Sequence, residues 1–177
     1  VKSYLPPASV AAQIQQAPIL MVAVDLSPEM ETLAAQLLGS VKRMLVIEPD
    51  ARVACVNVIK TSRLAIDQET DAAGTNLHVA RLIALKAWAG GLDLPEGRLT
   101  FTVLEGTDPG AALIEHAVAL QADHILMGAR GHSTTRRYLG SVSSQVVAEA
   151  PCSVTVIRLP EREAAAVRPE VRGGAVR

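Results

Sequence analysis

PILMVAVDLSPEM, residues 18–30, runs apolar for seven residues, reaches a carboxylate at Asp25 and passes directly into a helix start. A strand with one wet face alternates apolar and polar residues. This one does not alternate, so 18–25 reads as a central parallel strand buried on both faces. Ser27 then predicts an N-cap and Pro28 the first helical position. Leu33, Leu37, Leu38, Val41 and Leu45 supply a helical apolar stripe that EPDAR, residues 48–52, breaks.

The same grammar repeats outward from that unit. ARVACVNVI (51–59) reads as a second strand, and KTSRLAIDQETDAA (60–73) as a polar excursion without a stable period. A helix is predicted from about Asn76 to Ala89, with Leu77, Ala80, Leu85 and Trp88 inward and Gly90-Gly91 as its stop. RLTFTVLEG holds a third strand near 98–104. Asp108-Pro109 caps the amphipathic AALIEHAVAL, DHILMG (123–128) is strand four, SVSSQVVAEA (141–150) the last helix and SVTVIR (153–158) strand five. Strands alternating with helices imply an α/β fold, a parallel sheet with right-handed crossovers and helices on both faces.

The chain of 177 residues suits one domain, expected over 18–158 between an N-terminal arm (1–17, broken by Pro6-Pro7) and a charged, Ala/Gly-rich tail (159–177). With 49% hydrophobic and 20% charged residues it can close a core. Aromatics make up 2%, too few for base-stacking platforms, and a net charge of -1 offers no cationic field. Nucleic acid and anionic membrane are therefore not expected partners. No apolar run is long enough to span a bilayer, and the start lacks the pattern of a signal peptide, so a cytoplasmic location is expected. Cys55 and Cys152 form no CxxC pair and read as buried thiols of a reducing compartment.

Chemistry concentrates in GARGHSTTRRYLGSVSS, residues 128–144. Gly128 leaves strand four, Gly131 follows three positions later, and Gly140-Ser141 opens the last helix. Gly140, Ser141, Val142 and Ser143 would present unpaired amides where a phosphate is favoured, with Ser141 and Ser143 adding hydroxyl donors. A structural turn with a helix cap accounts for the same residues. Arg130, Arg136 and Arg137 either meet phosphates or stand in a solvated loop. Asp25 either serves a ribose or a hydrated Mg²⁺ ion or caps the helix after it. Val58 is either an apolar wall for a base or core. Asp108 reads as a helix cap.

Other chemistries find less support. Neither GxGxxG after strand one nor GxxxxGK[ST] occurs, which disfavours a dinucleotide-dependent dehydrogenase and a P-loop NTPase. His78, His116, His124 and His132 show no HExxH spacing, and no serine sits in a GxSxG elbow. No pair of carboxylates is spaced for acid–base work, so catalysis is not the leading expectation.

ILMVAVDLSPE, EGTDPGAALIEHAVALQADHILMGARG and LGSVSSQVVAEAPCSVTVIR together resemble the universal stress protein (UspA-like) family. The resemblance covers roughly 18–158. The form GAR…RRYLGSVSSQVVAEAPC is also similar to the stress-protein domains fused behind bacterial Ser/Thr protein kinases. The resemblance implies an open Rossmann-like sheet of order 3-2-1-4-5, of the adenine nucleotide alpha hydrolase-like type. It also implies a homodimer through strand five, Val154–Arg158.

Nucleotide-binding members carry Gly-x2-Gly-x9-Gly-[Ser/Thr]. By that pattern Gly128 and Gly131 line the phosphates, Gly140, Ser141 and Val142 complete the cradle, Asp25 approaches the ribose or metal and Val58 the adenine. Eight residues, HSTTRRYL, separate Gly131 from Gly140 where the pattern has nine. Two functions follow: an ATP-binding regulatory module of the stress response, with Mg²⁺ and little or no turnover, or a nucleotide-free dimeric scaffold that binds another protein.

Overall fold

A computed structural model describes residues 17–61, 76–95, 97–129 and 139–159. The expected excursion over 60–73 and the arm and tail lie almost wholly outside these residues. Five strands run in sequence order: β1 (Ile19–Ala23), β2 (Arg52–Lys60), β3 (Leu99–Gly106), β4 (His124–Gly128) and β5 (Ser153–Ile157). The helices between them are α1 (Glu31–Ile47), α2 (Leu77–Ala89), α3 (Pro109–Leu120) and α4 (Ser141–Glu149). The sheet is parallel throughout, in the order β3-β2-β1-β4-β5. Fold class and strand order are those expected.

The central position of β1 explains its unbroken apolar sequence. Val22 faces one core with Cys55, Leu126, Leu37 and Val41, under α1 and α2. Met21 faces the other with Val56, Ile125, Leu113 and Val146, under α3 and α4. Successive side chains of one strand thus enter opposite cores, and a polar residue on either side would lose its water. Trp88 ties α2 to α1 by donating its indole N–H to the Ala34 carbonyl at 2.9 Å.

Two local expectations change. Ser27 makes no side-chain cap. Residues Pro28–Met30 wind first as a 3₁₀ turn closed by Met30 N–H on the Ser27 carbonyl at 2.9 Å, and α1 begins only at Glu31. The backbone of Ser27 therefore does the work assigned to its hydroxyl. After α2, Gly90 continues into a second 3₁₀ turn, Gly90–Leu92, and the reversal falls on Asp93 at φ 50°. The Asp108 cap is as expected: Oδ1 accepts from Gly110 N–H at 3.0 Å and Ala111 N–H at 3.1 Å.

Candidate functional site

β1 hydrogen-bonds to β2 on one side and β4 on the other, so the strand order reverses beside it. Loops leaving the carboxyl ends of strands diverge at such a point and open a crevice. Here the crevice is a cavity of about 460 Å³. Its walls include Asp25 from the end of β1, Asn57, Val58 and Lys60 from β2, Gly128 from β4, and Gly140 to Ser143 at the start of α4. Met30, Leu33, Ala34 and Leu37 of the α1 region and Pro109 and Leu113 of α3 complete the apolar part.

Seven of the nine candidate residues, Asp25, Val58, Gly128, Gly140, Ser141, Val142 and Ser143, thus meet on one cavity. Arg130 and Gly131 lie outside the described residues, as do Arg136 and Arg137. Asp25 is exposed, and its Oδ1 accepts from Ser27 N–H at 3.0 Å, so one carboxylate oxygen orders the turn. Its Oδ2 has no described partner. Val58 packs against the α3/α4 core and also lines the cavity.

The start of α4 is held from beneath. Gly140 N–H donates to the Ala129 carbonyl at 2.8 Å, and Ala129 N–H donates to the Ile157 carbonyl at 2.8 Å. Ser144 N–H closes the first helical turn on the Gly140 carbonyl at 2.9 Å. No described side chain caps the helix. The Ser141 and Val142 amides thus carry the positive end of the helix at the cavity wall.

Ser143 departs from expectation. Its hydroxyl is buried and donates to the Ala129 carbonyl at 2.8 Å, with the Gly140 carbonyl at 3.1 Å. Its single proton is engaged in this clamp. Gly140 N–H is engaged likewise, while Ser141 is exposed and lines the cavity.

Gly128 has a packing reason beside any functional one. A Cβ there would lie 2.5 Å from Leu33 Cδ2 and 3.1 Å from Leu33 Cγ. Glycine therefore lets α1 descend onto the end of β4. Gly110 plays the same part between α3 and α4, where a Cβ would overlap the Gln145 side chain. Gln145 Nε2 donates to Asp108 Oδ2 at 3.3 Å. The Ala111 amide, then the Gln145 side chain, hold the Asp108 carboxyl below its usual value.

Sequence reading missed Asn57 and Lys60. The signal for Asn57 was a lone amide inside the apolar run VACVNVI. It is 5% exposed, its Nδ2 donates to the Val24 carbonyl at 2.7 Å, and its Oδ1 is buried with no partner among the described residues. Lys60 ends β2 at the cavity rim.

The described histidines, His78, His116 and His124, stand apart from the cavity, and His132 lies outside the described residues. His78 pairs with Glu105 at 3.2 Å on the surface. His124 Nε2 meets Thr155 Oγ1 at 2.8 Å, and burial lowers the pKa of both His116 and His124. Among the described residues no three His, Cys, Asp or Glu side chains gather as metal ligands, and no helix is long and apolar enough to cross a membrane.

Comparisons with known proteins agree with this architecture. The sequence model of the Universal stress protein family matches residues 18–158. A universal stress protein of Thermus aquaticus, encoded in a sulfhydrylase 3' region, is 45% identical over 51 residues. That match spans 28% of this chain and 37% of the length of the relative. UspA from Lactobacillus plantarum superposes with a TM-score of 0.59 at 21% identity, over 80% of this chain and 98% of its own. A universal stress protein in complex with cAMP gives 0.57 at 18%, over 81% and 98%. One from Arabidopsis thaliana with AMP bound gives 0.57 at 17%, over 82% and 94%. At these identities the solved structures speak for the fold. The family rests on the match over 18–158, and by that match the chain belongs to the universal stress protein family.

Proposed function

We propose that the cavity binds an adenine nucleotide, ATP in the first instance, and that the chain acts as a cytoplasmic regulatory module with little or no turnover. The observation that carries this reading is the convergence of the uncapped α4 start, with the Ser141 and Val142 amides, and Asp25 and Val58 on one cavity. The amides suit phosphates, the carboxylate suits ribose hydroxyls, and Val58 with Val56 suits the face of a base. Bound AMP and cAMP in two structural neighbours support the ligand class.

Mg²⁺ would enter on the phosphates and supply charge neutralisation there. Asp25 is the one carboxylate on the described wall that could share it. No group on that wall is placed as a general base, so binding rather than hydrolysis is the activity proposed. Bound nucleotide would then act by favouring one state of the chain or its partner.

Calorimetric titration of nucleotide-stripped protein with ATP and Mg²⁺ tests the reading. Saturable binding near one ATP per chain supports it. No heat at millimolar ATP, repeated at a second temperature because ΔH can pass through zero, overturns it.

The second reading, a nucleotide-free dimeric scaffold for a protein partner, is favoured by one observation. β5 is an edge strand bonded only to β4 among the described residues, and it is short and largely apolar. A second copy pairing along Val154–Arg158 would cover that edge. Sedimentation at micromolar concentration tests it: a folded monomer counts against this interface.

A further inference from the structure

Gly39 and Ser40 lie four and three residues before Arg43 in α1, so the three share one side of the helix. Ser40 is buried. Its hydroxyl donates to the Gln36 carbonyl at 3.0 Å and accepts from Arg43 Nη2 at 2.8 Å. The Arg43 guanidinium therefore lies back along the helix, with Nη1 3.7 Å from the place a Gly39 Cβ would take. Glycine weakens the middle of a helix, and here it leaves the space beside that guanidinium open. The space is a second cavity, of about 390 Å³, between α1 and the end of the edge strand β5. Val156, Ile157 and Arg158 form its other wall, and it shares no described wall residue with the first cavity. The Ile157 carbonyl accepts from Ala129 N–H on the β4 side, so the Val156 N–H and C=O turn to the open edge of the sheet.

Arg43 and Arg158 are exposed cations, and among the described residues neither has a carboxylate partner. No described residue of this wall is acidic. We propose that the cavity is a second anion site, which takes the phosphate group of a small molecule between Arg43 and Arg158. Guanidinium groups present planar forks of N–H donors that match the oxygens of phosphate or carboxylate. Charge decides between the two: a phosphate dianion balances both arginines, and a single carboxylate balances one. The bond to Ser40 holds Arg43 in place before any ligand arrives, so less side-chain freedom is lost on binding. The volume falls in the range of small-molecule sites, about 300–1,000 Å³, and leaves room for more than one phosphate group. The site stands or falls independently of nucleotide binding at the first cavity.

Nitrogen-15 NMR of the full chain tests the proposal. The Nε–H signals of Arg43 and Arg158 report on this cavity, and the Ser141 and Val142 amides report separately on the first. The probes are inorganic phosphate, pyrophosphate and acetate, titrated at constant ionic strength and at about pH 7.5, where a phosphate monoester is close to doubly charged. Both arginine signals should shift together and saturate at millimolar phosphate or pyrophosphate, with acetate bound about tenfold more weakly. Arg43→Gln and Arg158→Gln should each weaken phosphate about tenfold, the loss of one charge-assisted contact. Acetate binding as tightly as phosphate overturns the assignment to phosphate. Shifts that grow without saturating, or saturable binding that survives both substitutions, overturn the site. If only Ser141 and Val142 respond, phosphate enters the first cavity alone: this proposal falls and the nucleotide reading stands. Should a variant not fold, the wild-type titration with phosphate against acetate decides by itself.

Discussion

Gly128→Ala adds one methyl group at the point where α1 meets the end of β4. That methyl would stand 2.5 Å from Leu33 Cδ2 and 3.1 Å from Leu33 Cγ, well inside van der Waals contact. Leu33 is itself buried, at 6% exposure, so the clash is relieved only by an altered rotamer or a shift of α1. Overpacking of this sort costs about 1–3 kcal/mol. Replacing glycine stiffens the unfolded chain and returns about 0.4–1 kcal/mol. The net expectation is a loss of about 1 kcal/mol, or roughly 2–4 °C in Tm for a chain of this size.

Urea titration measures it as a lower midpoint at unchanged slope. The partner variant Leu33→Ala removes the opposing side chain and alone costs about 2–3 kcal/mol, at the low end for leucine because the site already borders a cavity. In the double variant the new methyl meets open space. The double variant should then lose less than the sum of the two single losses, by the overpacking cost itself of about 1–3 kcal/mol, beyond the roughly 0.3–0.5 kcal/mol scatter of independent sites. A neutral Gly128→Ala, or losses that simply add, would refute the close approach as the reason for this glycine. The proposed phosphate contact would then be the one remaining reason for a glycine there.

Ser143→Ala should cost about 1 kcal/mol in urea titration, the worth of a buried hydroxyl bond, because Ala129 keeps its second donor, Gly140 N–H. Its ATP affinity in calorimetry should stay within twofold of wild type, whereas a tenfold loss would return Ser143 to the phosphates. Asp108 has a lowered folded pKa, so its contribution is present above the unfolded carboxylate value of 3.8 and is lost as pH falls through the lowered one. Asp108→Asn should therefore be less stable than wild type at pH 7, and the two urea midpoints should converge in acid. A gap that persists at about pH 2 would contradict the charge-based account. Burial pushes the Cys55 thiol up to about 12, so a disulfide reagent at pH 8 should label it only on unfolding. Rapid labelling of Cys55 in the native state would show that β2 opens locally.

The architecture was legible because its decisive residues report through periodicity. A strand buried on both faces cannot hide the continuous run at 18–24, and Asp108-Pro109 names a helix start wherever it falls. The site was legible in part. Glycines and helix starts mark places where backbone amides come free, and those places converge at the reversal of strand order beside β1. What the sequence concealed was the allocation of bonds. Whether a serine hydroxyl near a helix start faces a ligand or the turn beneath it depends on where Ala129 lies, a tertiary matter. Asn57 escaped because one amide in a strand disturbs neither length nor period. That its oxygen has no partner among the described residues becomes visible only in the folded structure.

The clamp beneath α4 separates the geometry of the helix from the length of the connection that leads to it. Ala129 and Gly140 are bonded directly, and ten residues, 130–139, intervene. The ends of that span are therefore held by β5 and α4, whatever lies between them. Adding one residue to a closed span of ten changes its closure entropy by only about 0.1 kcal/mol. The helix start and its amides need not move when the span grows or shrinks. A connection one residue shorter than the family pattern is then compatible with an unshifted α4. Length variation in this segment can be selected for what it touches, while the anchored frame carries the position of the helix.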